Sequence, residues 1–218
     1  MIQNINGIFV AGTDTNVGKT IVSAAIVCAL RRTKNVCYWK PIQTGIEADD
    51  DSKTVKELAS CSDTEIFERG FRLEKSLSPH LSARFAGVEI TIGKILDFLP
   101  DEPDERFWIV EGAGGALVPL NENQLLIDLI KTLDLPVVIT ARSGLGTINH
   151  TLLTVEALRI RGLKILGVIM NGEANDENRK AIERFGQVKV LAQMPKFECL
   201  TDGNLAIWSK NNLTLTDD

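Results

Sequence analysis

No basic cluster, no closely spaced cysteine pair and no long apolar run occurs in this chain, and each absence removes a class of function. The 24 Lys and Arg are scattered among 29 Asp and Glu, giving a net charge of -5 and a pI near 5.2. Nucleic acid and anionic membrane surfaces are therefore not expected partners. Cys28, Cys37, Cys61 and Cys199 show no CxxC or ligand-like spacing, and a chain that is 44% hydrophobic can build its core without staples. Reduced thiols and a cytoplasmic location follow as expectations. The longest unbroken apolar run, Ala24 to Leu30, is far shorter than the roughly 20 residues a bilayer requires. The opening MIQNINGIFV also lacks the basic segment of a secretory leader, the first Lys or Arg being Lys19.

What the chain does have is alternation. Continuous apolar runs at Ile5 to Ala11, NVCYWKP, RFWIVEG, LPVVITA, LKILGVIMNG and VKVLAQMP read as strands buried on both faces. Between them lie a buried helix from about Lys19 to Arg32 and another from about Thr147 to Arg161, which Gly162 ends. Shorter polar helical segments, DSKTVKELA, SPHLSARFAG and TIGKILDFLP, fill the stretch from Gln43 to Pro103, and the tail from Glu198 reads as irregular. The expectation is α/β: one domain over residues 1–218, a mostly parallel sheet with helices on both faces.

The first strand runs into AGTDTNVGKT. Gly18, Lys19 and Thr20 match the end of the phosphate-binding loop G-x-x-x-x-G-K-[ST], in which backbone N–H groups wrap phosphates, Lys neutralises them and the hydroxyl binds magnesium. The first glycine, however, is Gly12, one place earlier than that pattern asks, and Thr13 stands where it should be. The intervening TDTNV carries side-chain oxygens suited to a second substrate beside the γ-phosphate. The expectation is a fold of the P-loop NTPase type.

Three more features belong at the same carboxyl edge of the sheet. Lys40 closes YWKP at a strand tip. Glu111 ends the apolar FWIV and opens GAGG, where a carboxylate can accept magnesium and glycines let a ligand approach. Asp49, Asp50 and Asp51 precede a helix; one can cap it while another reaches a metal.

Together, GTDTNVGKT, YWKPIQTG, SPH, EGAGG, LPVVITA, GLGTINH and MNG resemble the dethiobiotin synthetase family in order and spacing, over about residues 5–172. The resemblance implies ATP-dependent carboxylation of 7,8-diaminopelargonic acid by CO2, with Mg2+, in a homodimer. It implies that ATP lies along Asn16, Val17, Gly18, Lys19, Thr20 and Ile21, near Asp51, Glu111, Gly112, Ala113 and Gly114, with its base at Asn171, Gly172 and Pro195. Lys19 and Lys40 would be catalytic. Thr20, Asp51 and Glu111 would hold the metal, with Asp50 as the other possible register for Asp51. Thr15, Lys40, Thr44, Gly146, Thr147 and Asn149 would meet the substrate. Asn16 departs from the acidic residue common at its position. His80 and His150 are expected to be structural. The alternative, a switch ATPase of the partitioning or cofactor-insertion kind, usually carries an extra lysine early in the loop, and Thr13 to Val17 contain none.

Overall fold

The structure, a computed structural model, describes residues 5–215. In chain order it forms β1 (Ile5–Gly12), α1 (Lys19–Leu30), β2 (Val36–Trp39), β3 (Ile42–Thr44), α2 (Asp51–Leu58), β4 (Ile66–Phe67), β5 (Phe71–Leu73), α3 (Pro79–Phe85) and α4 (Ile92–Leu96). Then come β6 (Asp104–Gly115), α5 (Leu126–Leu133), β7 (Val137–Arg142), α6 (Thr147–Ile160), β8 (Ile165–Asn171), α7 (Asp176–Gly186), β9 (Val190–Met194) and α8 (Asp202–Asn212). Seven strands make one sheet in the order β4-β2-β6-β1-β7-β8-β9, and every pairing in it is parallel. The short β3 and β5 pair separately, also in parallel.

Alternation along the strands divides the core in two. Phe9, Cys37, Trp39, Trp108 and Val110 face one side, packed by residues of α3 to α7. Ile8, Val10, Tyr38, Phe107 and Ile109 face the other, against α1, Val55 of α2 and Leu205 of α8. Sandwiched between the sheet and those two helices, α1 is apolar nearly all round, with Val22 and Ala24 to Val27 fully buried. Gly162, at φ 71, follows α6 in the left-handed conformation that glycine accepts without strain.

The tail departs from expectation. Instead of being irregular, it holds α8, whose cap Thr201 accepts a hydrogen bond from the Asn204 N–H at 3.2 Å. Only Leu205 and Ser209 of α8 are buried, so its sequence carries almost no helical period. Among the described residues, no helix is long and apolar enough to cross a membrane.

Candidate functional site

The phosphate loop leaves β1 at Gly12 and enters α1 through Gly18, which takes φ 92 and caps the helix; Asn16 between them is also left-handed, at φ 57. The early glycine has a steric reason. A Cβ on Gly12 would lie 2.8 Å from the Asp14 carbonyl oxygen and 2.9 Å from Lys19 Nζ, so a side chain there would collide with the loop lysine. Lys19 folds back over the loop and donates to that same Asp14 carbonyl at 3.1 Å. Asp14 in turn accepts the Thr15 N–H at 2.7 Å through one oxygen and pairs with Arg142 of β7 through the other. Burial, and then the neighbouring Lys40 charge, bring the Lys19 ammonium down to about 8.

Strand parity builds the second half. Tyr38 and Trp39 of β2 pair with Ile109 and Val110 of β6, and continuing that register sets Lys40 beside Glu111 on the face towards α1. The Lys40 ammonium lies 2.6 Å from Asp51 Oδ2 and 2.7 Å from Glu111 Oε1, and donates to the Gly112 carbonyl at 3.0 Å. Thr20 Oγ1 donates to Asp51 Oδ1 at 2.7 Å and lies 3.2 Å from Glu111 Oε1. Burial by itself would lower Lys40, but Glu111 and Asp51 outweigh it and hold the ammonium above its usual value. Burial would likewise raise Asp51; Lys40 overrides it and keeps this carboxyl below the usual range.

The acidic run is divided as helix geometry requires. Asp50 is the N-cap of α2, its Oδ1 accepting the Lys53 N–H at 3.1 Å, while Asp51, one step on, turns to Thr20 and Lys40. Gln43, which no sequence signal singles out, ties this region together: it donates to the Thr44 and Asp49 carbonyls at 3.0 Å each and accepts the Asp51 N–H at 3.2 Å.

These groups line one cleft of about 380 Å3, which gathers Thr15, Asn16, Gly18, Lys19, Thr20, Ile21, Lys40, Thr44, Asp51, Glu111, Ala113 and Gly114. Val17 lies beneath, its carbonyl accepting the Asn171 amide at 3.0 Å from the end of β8, with Gly172 next in chain. Pro195 follows β9 and is exposed. Gly146, Thr147 and Asn149 are not on the wall of this cleft but at the start of α6. Thr147 is buried and donates its hydroxyl to the Arg142 carbonyl, whereas Asn149 is exposed. Beside the loop, Thr13 to Thr15 share a second groove with Leu117, His150 and Leu153. The His80 ring meets the Ser78 hydroxyl at 3.1 Å, a local contact beside the α3 cap. Among the described residues no group of three His, Cys, Asp or Glu side chains could hold a metal, so a metal here would need Thr20 and ligand oxygens beside the two carboxylates.

A family model described as an AAA domain matches residues 6–203. The chain is 46% identical to an ATP-dependent dethiobiotin synthetase BioD of Paramagnetospirillum magneticum, over 93% of this chain and 94% of that protein. It is 42% identical to the BioD of Agrobacterium fabrum, over 88% and 87% respectively. A biotin biosynthesis bifunctional protein BioCD of Bordetella avium is 47% identical over 96% of this chain, which spans only 43% of that longer protein. Solved structures similar in fold include a ParA family ATPase from Chlorobium tepidum (TM-score 0.59, 9% identity, 95% of this chain and 98% of that one). Another is the cell division ATPase MinD of Pyrococcus furiosus (TM-score 0.58, 16% identity, 94% and 89%). At such identities the likeness concerns the fold alone.

Proposed function

The chain belongs to the family of ATP-dependent dethiobiotin synthetases, and we propose from that membership how its cleft performs the reaction. It is an ATP-dependent ligase that forms a carbon–nitrogen bond in biotin biosynthesis. The proposed course begins with attack of one amine of 7,8-diaminopelargonic acid on CO2, giving a carbamate with loss of a proton. A carbamate oxygen takes the γ-phosphoryl group of ATP; the second amine then displaces phosphate as the ureido ring closes, leaving dethiobiotin, ADP and phosphate.

Such a course asks for positioning and charge stabilisation rather than a strong base. Loop N–H groups and Lys19 take the phosphates, and Lys40 meets the charge that develops on the carbamate and the transferring group. Thr15 and Thr44 offer hydroxyls to the amine and the carbamate. The base is assigned to Asn171, Gly172 and Pro195, and the phosphates to the stretches from Asn16 to Ile21 and from Gly112 to Gly114. Thr20, Asp51 and Glu111 would hold Mg2+, and their donor set fits a cation: both carboxylates already close on the Lys40 ammonium at 2.6 and 2.7 Å. The ion would neutralise phosphate charge there.

The substrate's tail carboxylate is assigned to the start of α6 in a partner copy, across a two-fold dimer. The positive helix end at Gly146 suits an anion, although the Thr147 N–H itself donates to the Gly144 carbonyl at 3.2 Å, and Leu145 beside them is fully exposed. We place the enzyme in the cytoplasm, as a single domain over residues 1–218.

The observation that carries this account is the Lys40 ammonium seated between Asp51 and Glu111 at the mouth of the loop. It is tested by following ADP release: ADP and phosphate should appear only when diamine and bicarbonate are both present. Steady hydrolysis without them would favour a switch ATPase instead.

A further inference from the structure

Glu111 has two carboxylate oxygens, and only one of them faces the loop. Oε1 meets Lys40 at 2.7 Å and Thr20 at 3.2 Å. Oε2 points back into the sheet, where the Tyr38 hydroxyl donates to it at 2.9 Å. Tyr38 is the chain's only tyrosine and is fully buried, its ring packed among the apolar residues beneath α1. In register it pairs with Ile109, two residues before Glu111 on the same face, so its hydroxyl must reach diagonally along the neighbouring strand.

A phenylalanine would fill this apolar position equally well, and the added hydroxyl is costly to bury without a partner. Its hydrogen-bond partner is Glu111. Glu111 itself has no exposed surface, so no solvent fixes its rotation about the last side-chain bond. With Oε2 held, the carboxylate plane is set and Oε1 alone is presented to the cation position.

We propose that Tyr38 is a positioning residue for the metal–nucleotide site: its hydroxyl holds Glu111 Oε2, so that Oε1 is turned towards Thr20 and the incoming cation. This rests on the assignment of Glu111 to the metal, and it adds a residue outside the cleft wall to the machinery of the reaction. Tyr38 touches neither nucleotide nor substrate, and acts through Glu111 alone.

The test is Tyr38→Phe, which keeps the ring and its packing. ADP affinity is measured by calorimetry without metal and across a Mg2+ titration, beside wild type, Glu111→Gln and the double variant. We expect metal-free ADP affinity to stay close to wild type, and the thermal midpoint to fall by only the few degrees that one lost hydrogen bond to a buried carboxylate costs. The Mg2+ concentration for half-maximal tightening of ADP should rise about tenfold, the order seen when a ligand's outer partner is lost. In turnover, kcat should fall at limiting Mg2+ and recover at high Mg2+. The double variant should be no worse than Glu111→Gln, since both changes act on one carboxylate. If Glu111→Gln shifts the Mg2+ dependence and Tyr38→Phe does not, the positioning role is overturned and the metal assignment survives. If neither shifts it, the metal assignment falls and Tyr38's role with it. Loss of metal-free ADP binding in Tyr38→Phe would show a general structural role, and would also overturn the proposal.

Discussion

Raising the pH should loosen nucleotide binding through one identifiable group. In the ligand-free chain Lys19 titrates at about 8, pulled down by burial and by Lys40. Nucleotide phosphates, fully ionised above about pH 7.5, bring negative charge to its ammonium and raise its pKa on binding. The sign follows: affinity is fully present well below pH 8 and declines as pH rises through it, until the higher pKa of the bound state is reached. If only the protonated form binds well, the apparent Kd grows by a factor of about 1 + 10^(pH-8), so roughly twofold at pH 8 and elevenfold at pH 9, or about 1.4 kcal/mol. The same linkage requires proton uptake, about half a proton per ADP at pH 8 and about 0.9 at pH 9. Calorimetric titration of ADP at saturating Mg2+, in buffers of unlike ionisation enthalpy, reads that number directly. Lys19→Met should bind weakly and lose the pH dependence. A Kd that stays level from pH 7.5 to 9.5 with no proton uptake would refute the argument, because the lysine would then be charged throughout.

Lys40→Met should slow turnover by more than about 100-fold while ADP affinity changes little, and should cost about 3 kcal/mol of stability because Asp51 and Glu111 lose their shared countercharge. An equal loss of ADP affinity in Lys19→Met and Lys40→Met would contradict the division of roles between them. Asp50→Ala should cost about 1 kcal/mol through the lost cap and leave the Mg2+ requirement alone, whereas Asp51→Asn should raise that requirement; a metal titration of both variants decides it. Lys40→Ala and Asn149→Glu chains, each inactive alone, should regain activity at about a quarter of their sites when mixed, unfolded and refolded. Mixtures that stay inactive would place each whole site within one chain. Asn149 serves here because it is exposed, while Thr147 is buried and bonded to its own chain.

Six strands of the main sheet were legible because strands covered on both faces leave unbroken apolar runs, whereas the short β3, β4 and β5 fall in the stretch read as helical; the loop was legible because its glycines and Lys19 answer steric and charge demands that few other residues meet. Legibility failed where a helix has little to bury. α8 keeps only Leu205 and Ser209 inside and carries almost no helical period, so it does not stand out from a polar loop; α7 does carry a period, but it is so polar that it buries only Ile182 and Gly186. Asp50 and Asp51 cannot be told apart by composition, since what separates them is where α2 begins. Tyr38 hides for a related reason: within VCYW it reads as one more strand residue, and its hydroxyl gains meaning only through Glu111, which lies 73 positions away in sequence.

The two carboxylates around Lys40 hang from unequal supports. Glu111 rides on β6, paired with β1 on one side and β2 on the other, in the middle of the sheet. Asp51 and Thr44 belong to the excursion between β2 and β6, whose strand pairing with the main sheet, among the described residues, is limited to the two-residue edge strand β4. Amide hydrogens of β1 and β6 should therefore be among the last to exchange, and those of β3 and α2 among the earlier ones. A brief opening of the excursion alone would leave a protein that still grips phosphate with Lys19 yet has lost one wall of its reaction chamber. Fidelity of the chemistry would then fail well before affinity for the nucleotide does.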